Sequence, residues 1–495
     1  MRTHVWLGGL AALGAAALVL SCEHGGERIR RALDQVTSVA EPPAAPEFRA
    51  IYINRFQWPD ASPEVARSNI REMMRTSAEH NFNAVLFQVR GQCDVHYPSP
   101  NEPWSNVYGW EDPGWDPLEF AIDEAHANGL EFHAYINTHT LAQVIPPEHT
   151  VPEHPYNLHG PSAPDGECWL LAGEDGARVV EGEEYVWLSP GIPAASAWTR
   201  AQIMHVVNHY DIDGLTFDRI RTPGREYSHD AVTQARFEGP GNPWGLAWGD
   251  FMRLQITTDL ERIYGAVNEV KPHVVISASP FGIHSRQPGG YQGTGTESYH
   301  HHYQDSFRWL EGGSLDLMFP MIYWPIGSAH PFEVLVADFM QHTGGRHLAP
   351  AFNRRASEEI IASIQEVRNQ GGAGTAYWVY GRGDWETFDL IYPAPAPIPE
   401  RTWKTHPVAG IVVGQVRSLA GAPFVDAQVR LGEEMRLSAG DGFFAFLNVP
   451  PGTHALTVDL PAHDGYPGST LSAEVTVAAG QTVRQNLEHL GGVRP

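Results

Sequence analysis

Between Phe48 and about Tyr392 the chain alternates eight apolar or β-branched runs of strand length with helical patterns, and no other feature limits its fold so strongly. The runs start near Phe48 (FRAIYI), Ala84 (AVLFQV), Glu131 (EFHAYI), Gly214 (GLTF), Val274 (VVISAS), Leu317 (LMFPMIY), His347 (HLAPAF) and Gly374 (GTAYWVY). Glu64 to His80 sets Val65, Ile70, Met73 and Met74 near one helical face, and Asp116 to Asn128 groups Leu118, Ile122 and Ala125. Further helices are expected at Ala195–Tyr210, Trp248–Val270 and Ser357–Asn369, with Asp116-Pro117 and Ala356-Ser357 as starts and Gly129 as a stop. Such a repeat predicts an α/β fold, a (β/α)8 TIM barrel over 48–392 with long loops. An open doubly wound sheet is the alternative, but no Gly-x-Gly-x-x-Gly follows the first run. The P-loop, the Gly-x-Ser-x-Gly elbow and His-Glu-x-x-His are also absent from the sequence, which weakens nucleotide, α/β-hydrolase and zincin readings.

Proline marks where this pattern ends. Pro393-Ala-Pro-Ala-Pro-Ile-Pro399 opens a linker over 393–407, and residues 408–490 change to short alternating segments. Gly410–Val416, Gln428–Leu431, Phe443–Leu447, Thr453–Val458 and Ala473–Val477 are separated by Gly421-Ala-Pro423, Asp441-Gly442 and Pro450-Pro-Gly452. That turn chemistry predicts a small all-β sandwich. It carries no catalytic constellation.

The first residues read as a targeting segment. Arg2 and His4 precede an apolar run from Val5 to Leu20, too short for a confident membrane span and followed by Ser21 and Cys22. Val19-Leu20-Ser21-Cys22 resembles a bacterial lipobox, so 1–21 is read as a lipoprotein signal and Cys22 as the acylated residue. An ordinary secretory signal is the alternative; on either reading the mature chain is exported. The expected location is the outer membrane or cell envelope through an N-terminal lipid anchor, otherwise the periplasm or medium. Residues 22–47, with Glu41-Pro-Pro-Ala-Ala-Pro46, read as a tether. In an oxidising compartment Cys93 and Cys168 are free to pair, although sequence does not give their separation. The three cysteines form no Cys-x-x-Cys spacing. With 33 Lys and Arg against 58 Asp and Glu, the net charge of −25 argues against a nucleic-acid surface.

Chemistry on a barrel belongs at the C-terminal ends of its strands. In Asp213-Gly-Leu-Thr-Phe-Asp218-Arg219-Ile-Arg221, Asp218 emerges at the rim with arginines at +1 and +3, which favour its charged form. That suits a nucleophile or an oxocarbenium stabiliser; a structural Asp–Arg pair closing the strand is the plainer reading. The loop after strand two holds Arg90, Asp94, Tyr97, Glu102 and Trp104, a mixture of charge and aromatic faces that fits sugar rings. On strand three, 133, 135 and 137 share a side, which brings forward His133 and Asn137; a satisfied core histidine is equally open. Tyr323, Trp324 and Trp378 add aromatic rim material. His300-His301-His302 invites a metal reading, but adjacent histidines rarely face one ion and a solvated loop is preferred. Glu297, Asp305, Asp384 and Glu386 read as surface charge on loops, with completion of a catalytic pair as the alternative for any of them.

Glycoside hydrolysis usually needs two carboxyl groups flanking the bond. Asp218 with Asp94 or Glu102 meets that need, with Arg90, Trp104, His133, Asn137, Arg219, Arg221, Tyr323, Trp324 and Trp378 as substrate contacts. This chemistry needs no metal and no cofactor. The expected activity is therefore an exported glycosidase with a polysaccharide partner. A carbohydrate-binding lipoprotein without turnover is the second reading, and a metal-assisted deacetylase or lyase using His133 and the loop histidines the third.

Phe87-Gln-Val-Arg90, Glu102-Pro-Trp-Ser105, Asp116-Pro-Leu-Glu-Phe-Ala-Ile-Asp-Glu-Ala-His126, Gly129-Leu-Glu-Phe-His-Ala134, Asp213-Gly…Asp218-Arg-Ile-Arg221, Ile276-Ser-Ala-Ser-Pro-Phe-Gly282 and Pro320-Met-Ile-Tyr-Trp324 occur in order. Through them the chain, from about Phe48 to Leu390, resembles the glycosyl hydrolase-like ten family of exported bacterial proteins. The resemblance implies a (β/α)8 barrel and, through a member acting on peptide-free peptidoglycan strands, a cell-wall glycan as candidate substrate. It places Asp218 in the motif after strand four, and Arg90, Asp94 and Glu102 in the one after strand two. The chain departs from the family at Cys93, at Thr138-His139-Thr140 and at Thr222. The C-terminal pattern, with Asp441-Gly-Phe-Phe-Ala-Phe and Val449-Pro-Pro-Gly452, resembles a carboxypeptidase regulatory-like, transthyretin-like domain.

Overall fold

The computed structural model describes residues 45–142, 152, 154–178, 185–286, 288–460 and 468–489. The leader, Cys22 and most of the tether lie outside these residues. From Pro46 onward the chain forms one compact unit.

Parallel strands form its centre. Phe48–Ile53, Ala84–Arg90, Glu131–Asn137, Gly214–Asp218, Val275–Ala278 and Leu317–Met318 pair in sequence order as barrel strands one to six. Strand seven is split into His347–Leu348, which pairs with strand six, and Ala351–Phe352, which pairs with Gly374–Tyr377, strand eight. Strand eight returns to strand one. The two ends of this nine-segment path are therefore neighbours in the chain, and a bridge from Met321 to Ala351 helps the curl to close. Strands six and seven are shorter than their apolar runs suggest because Pro320 and Pro350 each remove a ladder donor.

The helices fall where hydrophobic periodicity places them. Pro63–Glu79 buries Ile70, Met73 and Met74, with Ser62 as its N-cap. Pro117–Ala127 buries Leu118, Ile122 and Ala125, and both carboxylate-proximal N–H groups at its start are capped by Asp116. Trp248–Val270 is the longest, and it is buried on two sides because the C-terminal region packs against it.

That region is a sandwich of two four-stranded sheets. One joins Phe443–Val449, Gly410–Ser418, Thr482–Arg484 and Leu487–His489; the other joins Glu434–Leu437, Gln428–Leu431, Gly452–Leu460 and Ser469–Val477. Val412, Val429, Phe444, Phe446, Leu456 and Val475 fill the space between them. The sandwich docks on the barrel through Arg236–Asp426, Arg200–Asp441 and Arg484–Glu269 pairs. Gly265 allows the close approach: a Cβ there would sit 2.9 Å from Ala445 and 3.0 Å from Val413.

Residues 393–407 lie across the N-terminal end of the barrel. Arg401 donates to both oxygens of Glu131 at 2.9 and 2.7 Å, and Trp403 and Lys404 reach the buried Asp316. The segment is thus pinned rather than a free spacer.

Candidate active site

At the opposite end of the barrel the strand termini enclose a cavity of about 320 Å³. Strand one and its loop supply Tyr52, Asn54, Arg55 and Phe56; strand two supplies Gln88; strand three supplies Tyr135 and Asn137. Asp218, Arg219 and Arg221 come from strand four, Ser279 from strand five, Met321 and Tyr323 from strand six, and Trp378 from strand eight. The floor is aromatic: Trp378 sits edge-on to Tyr52 with centroids 5.0 Å apart, and Tyr52 is edge-on to Tyr135.

Asp218 is held in the cavity by three donors. Its Oδ2 accepts from the Tyr135 hydroxyl at 2.9 Å, while Oδ1 accepts from the Arg219 N–H at 2.6 Å and from Arg221 Nη1 at 3.3 Å. Arg219 takes a φ of +54°, the left-handed region that side chains rarely occupy, and this turns its N–H back onto the carboxylate. Burial and the Asp218 charge both raise the Tyr135 phenol far above its ordinary value, so it stays protonated and donates. Burial does the same to Tyr52 and Tyr323. Burial lowers Arg221, against the pull of Asp218.

Asn137 is the register partner of Asp218 on the neighbouring strand. It is buried, and its Oδ1 has no hydrogen-bond partner. An unpaired buried acceptor in a cavity wall costs roughly 1–3 kcal/mol, and a ligand N–H or O–H would offset that cost.

The strand-two loop is placed otherwise than its sequence suggests. Asp94 does not line the cavity; it lies buried behind Arg55, whose Nη1 donates to it at 2.8 Å. Burial raises its carboxyl, but Arg55 and nearby donors outweigh that and hold it below the ordinary range. Glu102 is buried too, accepts from Arg90 Nε at 2.8 Å, and is pushed up by burial against the pull of Arg90. Arg90 itself is fully enclosed and donates to the carbonyls of Asn137 and Thr138, with Cys93 Sγ 2.8 Å away. It braces the end of strand three rather than contacting the cavity.

His133 also sits apart. It is one layer deeper in the barrel, bonded to Glu131 at 3.1 Å near the floor, so that only 135 and 137 of the shared side reach the mouth. Trp104 packs on Tyr108 and Trp324 on His330, and neither lines the cavity. Cys93 and Cys168 are free buried thiols within one apolar cluster. The three histidines diverge: His300 is exposed, whereas His302 is buried, stacks on Phe281 at 4.2 Å and bonds the Thr222 carbonyl. Glu297 is buried in a pair with Arg286 and is not surface charge.

The structure therefore assembles Asp218, Arg219, Arg221, Asn137, Tyr323 and Trp378 from the sequence-predicted set. Tyr52, Arg55, Gln88, Tyr135 and Ser279 join them without having been singled out. Polar or phenolic residues interrupting apolar strand runs were the available signal.

Buried neutral imidazoles around the mouth make stability pH-dependent. Burial, the largest cause in each case, lowers His96 to about 3 and His139 and His302 to about 4. The unfolded chain binds protons at these rings near pH 6.5, the folded chain only well below that. Their contribution is therefore complete above about pH 6.5 and is lost as pH falls toward 4, by up to about 1.4 kcal/mol per pH unit per ring. Calorimetry at about pH 7.5 and about pH 5 should show the unfolding temperature falling by several degrees. An unfolding temperature that does not move would contradict neutral burial of these rings.

A family model described as glycosyl hydrolase-like 10 matches residues 47–342. Among curated relatives, glycosyl hydrolase YngK of Bacillus subtilis (strain 168) is 30% identical over 305 residues. The match takes in 58% of this chain and 56% of that protein, so the chain spans little more than half of its length. Glycosyl hydrolase DigH of Escherichia coli (strain K12) is 28% identical over 338 residues, 62% of this chain and 74% of that one. The solved PgaB (BpsB) glycoside hydrolase domain from Bordetella bronchiseptica is alike in fold, with TM-score 0.53 and 14% identity, covering 70% of this chain and 96% of that chain. The family model covers more than half of the sequence and includes strands one to six with the Asp218 motif: the chain belongs to the glycosyl hydrolase-like 10 family.

Proposed function

We propose that the chain is a glycoside hydrolase that cleaves a polysaccharide at the Asp218 cavity. The observation that carries this reading is the Asp218 carboxylate, fixed by Tyr135, the Arg219 N–H and Arg221 at the strand-four terminus of a glycosidase-like barrel. Both oxygens are oriented before substrate arrives, which suits attack on, or electrostatic stabilisation of, a cationic sugar centre. Trp378 and the exposed Phe56 ring offer apolar sugar faces a surface, and Asn137 Oδ1 offers an acceptor to a polar edge.

Peptidoglycan glycan strands are the candidate substrate class, since Arg55 after strand one and Arg219 and Arg221 after strand four line the cavity and would accommodate a lactyl carboxylate. Export through the N-terminal segment, with a lipid anchor at Cys22, would place the enzyme beside that polymer. We further propose that the C-terminal sandwich is of the carboxypeptidase regulatory-like type.

One observation favours the second reading, a glycan-binding protein without turnover. Among the described residues lining the cavity, Asp218 is the only carboxylate, because Asp94 and Glu102 are locked in ion pairs behind it. Reducing-end release decides between the two, measured on peptide-free and peptide-bearing peptidoglycan strands, chitin oligomers and common plant and bacterial polysaccharides. Release from one class supports hydrolysis; binding by titration with no release on any glycan supports the second reading.

Tyr135→Phe isolates one of the three donors on Asp218. Turnover is expected to fall about tenfold with stability nearly unchanged, since one charge-assisted hydrogen bond is removed at a partly open site. Steady-state kinetics beside a melting curve checks this. Wild-type turnover would mean that the phenol does not orient the carboxylate.

A further inference from the structure

A second cavity of about 320 Å³ lies at the seam between barrel and sandwich, remote from the Asp218 mouth in its lining residues. Arg236, Arg262, Arg308 and Arg436 line it together with Trp244 and Met435. No carboxylate lines it among the described residues. The acids that pair with these arginines are not among the lining residues: Asp426 with Arg236, Asp259 with Arg262, and Glu261 and Glu434 with Arg436. In a chain of net charge −25, a concave surface walled by four guanidinium groups is an exception to the general charge.

Two of the arginines have unused capacity. Arg262 is buried, donates to Asp259 at 3.0 Å and to the Leu437 carbonyl at 2.7 Å, and leaves Nε without a hydrogen-bond partner. Burial, with Arg200 and Arg236 adding repulsion, lowers its guanidinium, so an anion here would relieve a crowded positive charge. Arg308 is exposed, and its side chain has no ion pair or hydrogen bond among the described residues. Beside them Trp244 is 41% exposed. Guanidinium groups match a carboxylate in two-point fashion, and an exposed indole face matches the apolar side of a pyranose ring.

We propose that this seam binds a carboxylate-bearing sugar unit, held by Arg308 and Arg262 with its ring on Trp244, as a second glycan site formed jointly by barrel and sandwich. A uronic acid and the lactyl ether of a muramic sugar share this chemistry. The cavity volume is within the usual range for small-ligand sites.

Titration of the purified protein with N-acetylmuramic acid, glucuronic acid and neutral N-acetylglucosamine, read by ligand-observed NMR, tests the proposal. At least one acid should bind, and bind at least tenfold more tightly than the neutral sugar; which acid does so identifies the source of the carboxylate. Measured in a Trp378→Ala background, which removes the apolar platform of the other cavity, Arg308→Ala and Trp244→Ala should each weaken the remaining binding tenfold or more. Circular dichroism on each variant separates a lost site from a lost fold, and Arg308 and Trp244 are both exposed. Absence of binding by either acid, equal binding of the neutral sugar, or unchanged affinity in folded Arg308→Ala and Trp244→Ala proteins would overturn the assignment. Because the readout is binding alone, it stands or fails apart from turnover at Asp218.

Discussion

Asp218→Asn should reduce glycan turnover by about a thousandfold or more while leaving the unfolding temperature close to that of the wild type. The substitution keeps the shape of the side chain: its single amide oxygen can still accept from the Arg219 N–H, and the Tyr135 hydroxyl can turn to accept from the new NH2 group. What it removes is the negative charge facing Arg221 and the cavity. In a purely structural Asp–Arg closure, the same change would act mainly on stability and spare activity. The two outcomes separate in one pair of measurements, kinetics and calorimetry on the same preparation. Unchanged turnover would remove Asp218 from the chemistry.

Glu102→Ala should be the most damaging single change to stability in this part of the barrel. It leaves the fully enclosed Arg90 without its only carboxylate among the described residues, and an uncompensated buried charge costs roughly 3–5 kcal/mol. Arg90 also holds the Asn137 and Thr138 carbonyls, so the end of strand three would loosen with it. Glu102→Gln adds the decisive contrast. A positioning role predicts lower stability in the Gln variant with near-normal turnover per folded molecule. An acid/base role predicts retained stability with turnover reduced by about a hundredfold or more. Denaturant unfolding together with active-fraction kinetics distinguishes them, and the enclosed geometry of the pair favours the first.

The fold was legible because both periods are strong. Ile70, Met73 and Met74 could only mark one helix face, and the β-branched runs between such helices had to become a parallel sheet. Strands six and seven were overread because apolar character does not reveal that Pro320 and Pro350 interrupt the ladder. At the site, Asp218 and Asn137 were readable from position alone, since the last residue of an inward-facing set must look into the mouth. His133 belongs to the same set yet lies a layer too deep, a distinction of height along the strand that alternation does not contain. The loop after strand two was misleading for a different reason. Its acids and arginines have the composition of a sugar site, but the loop folds back so that Arg55 and Arg90 meet Asp94 and Glu102 in the interior. Gly91 permits that return: a Cβ there would fall 1.4 Å from the Arg55 guanidinium. Nothing local in the sequence announces a contact between residues 55 and 94.

The most direct test of the account is a crystal structure of the Asp218→Asn protein with an oligosaccharide from whichever glycan the wild type cleaves or binds. The account predicts a sugar ring against Trp378, a polar group at Asn137 Oδ1, and the anomeric carbon within about 3–3.5 Å of the residue 218 side chain. A glycan ordered elsewhere on the barrel, with the cavity at residue 218 filled only by water, would contradict it.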